Sequence, residues 1–575
     1  MITQDNLTAK QLGPDGQSQY AVFLPAISGF YATFVGKQRD PVNGPYVDPA
    51  RFPQGLTDME QLNWLNSQQA LFPYKWSLYS GGHANLDLNK QDWSEDMVRN
   101  REPGTFMLGD SGGFQIAKGL WEGEWRDPGS QAVQHKMAKL VAKGSKKTVN
   151  AKGKQIKKDP AADYQKLIDA AQKKRDSVLR WLDTISDYGM ILDIPTWVVH
   201  DKKASKACGI TTIPEAVAAT KYNNLYFMAH RKGVENGGAK FLNVLQGDNH
   251  TSAEDWYQEM KEFCDPAIYP DTHFNGWAMG GQNMCDVHLI LKRLITLKYD
   301  NLLQQGKHDW MHFLGTSKLE WAVLLTVIQR AVRKYVNPAF TISFDCASPF
   351  LATANGQVYF ENVFPQDAKW SYRMAPVLDD KKYATDTRKW SAGVLADLPV
   401  KYPTTPIKNW QESPISNMLK MKDICIYAPG DVNKNGKEPE KTSWDSFSYA
   451  LLMGHNVWMH LTAVQEANQR FDAGEHPAMM RHSKGDYEFF ENIVERIFSA
   501  TTKEDSLAEI KKYGGDDGYW TEIVGTRGFK GKKAVNARTQ YNTLFSFEEI
   551  QVDQQPDDSV QLDITALDQL EQAHI

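Results

Sequence analysis

Three aspartates, a glutamine and a pair of glycines stand at comparable places along the 575 residues, each closing a short apolar run. They are Asp110 in FMLGDSGGFQ, Asp193 in GMILDIP, Gln246 in FLNVLQG, Gly280 with Gly281 in FNGWAMGG, and Asp345 in FTISFD. Leu314 closes a further run, MHFLG. One such aspartate could be no more than the N-cap of the next helix, and D-S-G-G alone could be a tight turn. Three carboxylates, an amide and a diglycine, all at run ends, fit a shared purpose better, and the chemistry open to them is that of a purine site. A carboxylate accepting from N1–H and the N2 amino group selects guanine and its 7-deaza relatives against adenine, a role that suits Asp193. Gln246 and the backbone N–H of Gly281 can donate to O6 and to groups on the N7 side. Phe114 and Leu314 can sandwich the ring, while Gly112 and Gly113 let a flat ligand lie against the backbone. Ser111, Gly247 and Gly280 adjoin these residues and complete the candidate base-binding set. Exchange at a glycosidic bond needs one carboxylate beneath C1′ and an acid/base on the base side. Asp345 is the candidate nucleophile and Asp110 the candidate acid/base.

Something must bring these run ends together. Apolar runs of this length bounded by glycine or polar residues read as buried strands. Eight of them begin at Ala21, Lys75, Thr105, Gly189, Phe241, Phe274, Met311 and Phe340. Between them lie helical patterns such as LEWAVLLTVIQRAVRKY, with apolar residues recurring at three and four. Strands alternating with helices in this number predict an α/β fold of the (β/α)8 TIM-barrel type, whose strand carboxyl ends share one mouth. An open doubly wound sheet is the competing arrangement.

Composition narrows the classes. With 65 Lys and Arg against 70 Asp and Glu, the net charge of −5 neither implies nor excludes a polyanionic partner, because a local patch can hide beneath a mild average. No apolar run approaches the roughly 18 residues that span a bilayer, so no membrane partner is expected. The start, MITQDNLTAKQLGPDGQ, lacks the form of a secretory signal. Five scattered cysteines, Cys208, Cys264, Cys285, Cys346 and Cys425, argue for a reducing, cytoplasmic setting.

Two stretches interrupt the regular alternation. Residues 136–158 carry nine lysines and no acid. They read as a mobile cationic loop leaving the same mouth as Asp110, suited to neutralising phosphates through Lys143, Lys146, Lys147, Lys152 and Lys154. A Pro-rich stretch from Leu398 reads as a link out of the barrel. Beyond it, SFSYALLMGHNVWMHLTAVQEANQRF is strongly helical and expected to pack against the barrel. GTRGFKGKK, from Gly525, mixes Arg527 and Lys530 with Phe529, a composition that grips a strand by phosphate contact and stacking. An exposed loop is the bland alternative there. After Arg538 no Lys or Arg remains, and the tail is acidic.

In order and spacing, DSGGFQ (110–115), LDIPT (192–196), VLQGD (244–248), WAMGG (277–281), FLGTS (313–317) and FDCASPF (344–350), followed by Asn355-Gly356, resemble the motifs of the tRNA-guanine transglycosylase superfamily. The resemblance covers roughly residues 20 to 360, with LLMGHN (451–456) as a late extension. It implies a barrel enzyme, a pentosyltransferase that exchanges guanine in a polynucleotide for a free 7-deazaguanine base, with the aspartate roles given above. It also implies a domain plan: 1–380 for the barrel with its Lys-rich insertion at about 118–160, 381–480 for the region equivalent to the family's zinc subdomain, and 481–575 for a C-terminal extension with the basic segment and the acidic tail.

The departures bear on substrate. Where the tRNA enzymes resembled carry arginines that hold the anticodon backbone, this chain has Leu351 and Ala354. Of the zinc ligands, His455 matches the family's histidine, but upstream only Cys425 remains, so no zinc or other cofactor is expected. The segment after the diglycine, QNMCD, leaves the 7-substituent open, with a preQ0-type nitrile as the working choice. A catalytic core without the tRNA contacts, joined to a basic insertion, is similar to the DNA-guanine transglycosylase branch found in phages and genomic islands. DNA is therefore the expected partner, in host cytoplasm if phage-encoded. A tRNA enzyme and a non-catalytic nucleic-acid-binding subunit are the alternatives, and a homodimer is left open.

Overall fold

The computed structural model describes residues 19–149, 155–280, 286–366, 368–378, 380–397, 412–426, 428–429, 441–442, 444–482, 488–514, 518–523 and 547–549. Eight strands form one parallel sheet: β1 (Val22–Pro25), β2 (Trp76–Ser80), β3 (Phe106–Asp110), β6 (Tyr188–Met190), β7 (Lys240–Leu245), β8 (Gly276–Met279), β9 (Trp310–Phe313) and β10 (Thr341–Cys346). The numbers β4 (Lys146–Val149) and β5 (Gln155–Lys158) belong to a hairpin in the insertion. The sheet runs β1-β10-β9-β8-β7-β6-β3-β2, and a parallel bridge between Ala26 and Leu78 joins its two ends. Ile27 N–H donates to Leu78 O at 2.9 Å across that seam. This is a closed (β/α)8-like barrel, not an open doubly wound sheet. All eight runs form its strands, because strands covered on both faces are mostly apolar.

The first residues of β2, β3, β6 and β9 are aromatic and meet inside the barrel. Phe106 stacks on Trp310 with centroids 4.5 Å apart, and Tyr188 and Trp76 lie 5.2 Å and 6.0 Å from the same indole. This layer fills the amino-terminal end of the barrel and leaves the carboxyl end for polar groups.

The lysine-rich interval departs from the mobile loop expected. Helix Gln131–Lys143, capped by Ser130, and the antiparallel pair β4–β5 lead into the 26-residue helix Pro160–Ile185, which Asp159 caps and Pro160 opens. Val133, with the half-buried Met137 and Leu140, turns one stripe of the shorter helix toward the longer. Counting charges conceals a stripe that sparse. The register of the pair sets Lys146 opposite Lys158 and Lys147 opposite Lys157.

Packing against the barrel continues past residue 381. Helix Ser446–Asp472 lies against helices Leu319–Tyr335 and Gly29–Lys37, in the place of the barrel's last outer helix. It is buried along nearly its whole length, and its polar side chains are tied inward. Asn456 accepts from Tyr359 N–H at 2.8 Å and donates to Pro349 O and Thr353 Oγ1, both at 3.0 Å. That clamps helix Ser348–Ala354, which directly follows Asp345, to β11 (Gln357–Val363). β12 (Ser371–Pro376) pairs antiparallel with β11 and parallel with Phe547–Glu549. Among the described residues, no helix is long and apolar enough to cross a membrane.

Candidate functional site

Asp110 is the last residue of β3, and Ser80, the last residue of β2, donates to its Oδ2 at 2.6 Å. Burial raises the Asp110 carboxyl above its ordinary range, the Ser80 bond opposes this, and the charge of Asp345 adds to it. Asp193, just beyond β6, is pushed up to about 7, mainly by burial, with Asp110 adding and a 2.7 Å hydrogen bond from Gln246 Nε2 opposing. Asp110 thus lies within electrostatic reach of both other aspartates, and the three acids share the carboxyl mouth of the barrel. Like charges so placed favour at least one retained proton near neutral pH.

Asp345, on β10, is held differently. Its Oδ1 accepts from Gly315 N–H at 2.8 Å and from His312 Nε2 at 3.1 Å. On the far side of that fully buried imidazole, Nδ1 lies 2.8 Å from Ser343 Oγ, which also accepts from Trp310 Nε1 at 2.8 Å. With the indole proton on Ser343, the serine's own proton goes to Nδ1 and the imidazole proton sits on Nε2, facing Asp345. Both donors meet one oxygen, so Oδ2 is the oxygen left for chemistry. The side chain keeps 14% exposure.

Close approaches account for the glycines. Gly112 has φ +85°, and a Cβ there would lie 2.6 Å from the Trp121 indole. A Cβ on Gly113 would come within 2.5 Å of Asp193 O, and one on Gly280 within 2.5 Å of Gln246 Nε2. The backbone of the mouth therefore lies directly on an indole, a backbone carbonyl and an amide, which leaves no room for a side chain unless these groups move.

The remaining candidates are placed as follows. Phe114 is half-buried, its ring 5.8 Å from that of Trp197. Leu314, also half-buried, follows β9, and its N–H donates to Met279 O at 3.2 Å. Ser111 Oγ donates to Ile191 O at 2.9 Å, tying β3 to the segment after β6. Gly247 turns the chain after β7 tightly against Ala253. Lys143 is exposed at the end of its helix, while Lys146 and Lys147 lie on β4. Gly281, Lys152, Lys154, Arg527 and Lys530 lie outside the described residues.

In the region matched to the zinc subdomain, His455 is engaged on both nitrogens, with Ser413 Oγ at 2.8 Å and Tyr359 O at 2.9 Å. Burial brings it down to about 4. The Cys425 thiol donates to Asp380 O at 3.5 Å. Among the described residues, no three His, Cys, Asp or Glu side chains gather in a group able to hold a metal ion. Leu351 is buried on helix Ser348–Ala354 and Ala354 is half-buried at its end.

Sequence reasoning passes over Ser80, His312, Ser343, Trp121 and Trp197. Ser80 has a readable signal, as the polar end of its strand. His312 and Ser343 are also readable in principle. Trp310 and His312, then Ser343 and Asp345, repeat with period two on neighbouring strands, so all four point the same way. The two tryptophans carry no local signal, since their positions depend on how loops fold over the mouth. Compared with known proteins, the chain matches no family model, and no curated protein is significantly similar to it.

Proposed function

We propose that this chain is a guanine transglycosylase that exchanges guanine in DNA for a 7-deazaguanine base of the preQ0 type. The observation that carries the reading is the meeting of three aspartates of unequal character at one mouth. Asp193 and Asp110 are raised by burial, and Asp345 is pinned by one oxygen only.

The chemistry follows from those differences. Asp193, ionised, accepts from N1–H and the N2 amino group of an extruded guanine. Gln246 gives one N–H to Asp193 and keeps a buried Oε1 with no partner among the described residues. That amide is polar, enclosed and only partly used, which suits a group meant to meet a ligand. Asp345 Oδ2 attacks C1′ of the deoxyribose and the C1′–N9 bond breaks. Burial, by raising Asp110, suits it to carry the proton that goes to the departing guanine. The sugar is left as an ester of Asp345. An incoming base then gives its N9 proton to Asp110, N9 attacks C1′, the Asp345 carboxylate leaves, and configuration is retained over two displacements. DNA is favoured over tRNA by Leu351 and Ala354 at the positions of the family's tRNA-holding arginines, and by the built, lysine-rich insertion after β3.

Incubating the purified protein with labelled guanine and either duplex DNA or tRNA tests this. Label is expected in DNA; entry into tRNA alone would overturn the choice of polymer. Asp345→Asn is expected to abolish exchange and to trap no covalent adduct. Unchanged turnover in that variant would remove Asp345 as the nucleophile, and no exchange by the wild type would leave a binding subunit.

A further inference from the structure

Each of the two inner acids is followed four residues later by an aromatic side chain, Asp110 by Phe114 and Asp193 by Trp197. The two rings meet 5.8 Å apart, inclined at 50°, and both are half-buried. Trp121 lies on the other flank of the same turn, its indole against Gly112, also half-buried. Leu120 beside it is 55% exposed. Two lysines overlie these rings, Lys118 Nζ at 5.1 Å from the Phe114 centroid and Lys174 Nζ at 4.8 Å from that of Trp121. Among the described residues neither lysine forms a salt bridge; Lys118 acts on Asp201 only at longer range, and Asp201 is occupied in capping the next helix. Burial lowers Lys174, and the neighbouring Lys173 adds to this.

The lip of the mouth therefore offers flat apolar faces interleaved with cations; of the exposed acids beside them, Glu122 and Asp201, the second is engaged as a helix cap. A protein partner would be met by a continuous apolar patch, and duplex DNA by cations spaced along two backbones. Rings alternating with lysines match a chain that presents a base and a phosphate at every step, with its bases unstacked from a complement.

We propose that this rim is a binding site for single-stranded polynucleotide, holding the unpaired nucleotides that flank the base in the pocket. Trp121 and Trp197 stack on neighbouring bases, and Lys118 and Lys174 take their phosphates. The inference rests on the nucleic-acid reading above but not on the exchange reaction. It assigns the chain a preference for DNA already opened around the target.

The test uses the full chain and a fluorescein-labelled oligo-dT, which lacks the paired N1–H and N2 amino donors that Asp193 is proposed to read. Anisotropy titrations at salt from 50 to 200 mM are compared with those of a duplex of equal length. Oligo-dT is expected to bind more tightly than the duplex. Trp121→Ala with Trp197→Ala should weaken it about tenfold or more, whereas Trp121→Phe with Trp197→Phe, which keeps the rings, should restore most of the loss. Lys118→Gln with Lys174→Gln should lower the slope of log affinity against log salt by about 0.7 for each phosphate no longer neutralised. Equal binding by the wild type and the alanine pair, or tighter binding of the duplex, overturns the rim. If the alanine pair does not fold, an unchanged salt slope in the lysine pair overturns it instead. Oligo-dT binding that depends on the rim, with no guanine exchange, would leave the rim standing and remove the transglycosylase reading. Exchange without rim-dependent binding would do the reverse.

Discussion

Replacing Asp193 by asparagine should make the protein more stable at alkaline pH while disabling it. The folded carboxyl is held at about 7, against an ordinary value of 3.8, chiefly by burial. Below pH 4 the folded and unfolded chains both carry the proton, and the group costs nothing. As the pH rises, the unfolded chain releases its proton first, and the folded state is penalised until its own carboxyl ionises near 7. Stability is thus present at low pH and lost through the interval from about 4 to 7. The shift is about three units, and at 1.36 kcal/mol per unit it costs about 4 kcal/mol at pH 8. Asparagine keeps the volume and can still accept from Gln246 Nε2, but it cannot ionise. The repulsion from Asp110, already contained in that shift, goes with the charge. The assay is urea unfolding followed by tryptophan fluorescence, wild type against Asp193→Asn, at pH 4, 6 and 8, read as the difference at each pH. That difference should be small at pH 4 and grow to about 4 kcal/mol in favour of the variant by pH 8. A difference independent of pH, or a variant less stable at pH 8, would mean that the carboxylate is stabilised in place by donors. The burial argument for Asp193 would then be wrong. Affinity for guanine should collapse in the same variant, because an amide presents N–H groups where the base needs an acceptor.

Three other perturbations probe the same architecture. His312→Phe removes one of the two donors on Asp345 Oδ1 and leaves Gly315 N–H; loss of a charge-assisted bond of about 1.5–3 kcal/mol predicts a 10- to 100-fold lower exchange rate, with affinity for the free base, measured calorimetrically, unchanged. Gly280→Ala would place a methyl 2.5 Å from Gln246 Nε2, so the amide must leave Asp193; base affinity should fall by at least tenfold while the thermal midpoint drops with an overpacking cost of about 1–3 kcal/mol. Asn456→Ala strands Tyr359 N–H inside the fold and leaves Thr353 Oγ1 and Pro349 O only their own 3.5 Å bond; chemical denaturation should show a destabilisation of about 1–3 kcal/mol.

What is legible in the sequence follows from where the physics is local. A barrel strand is covered on both faces, so its run is mostly apolar and its end is marked by an acid, an amide or a glycine. This is why eight runs correspond to eight strands, and why Asp110, Asp193, Gln246 and Asp345 can be placed at one mouth from sequence. The insertion after β3 reads as a mobile loop because nine lysines overwhelm the sparse stripe of Val133, Met137 and Leu140. The helix exists because that stripe finds Pro160–Ile185, a partner that enters the chain only after the lysines end.

The harder matter is why the acids differ from one another. Asp110, Asp193 and Asp345 are the same residue at equivalent strand ends, and nothing within a few residues of any of them gives one a proton and another a free oxygen. The differences come from strands remote in sequence. Ser80 reaches Asp110 from β2, Gln246 reaches Asp193 from β7, and His312 reaches Asp345 from β9 with its own tautomer set by Ser343 and Trp310. Register explains why these partners arrive together. β9 pairs with β10 so that His312 faces Ser343, which puts the imidazole two residues along the pleat from Asp345 and on the same face. A slip of one residue would turn His312 outward and leave Asp345 with Gly315 alone. The differing surroundings of the three aspartates are therefore a property of strand register and barrel closure.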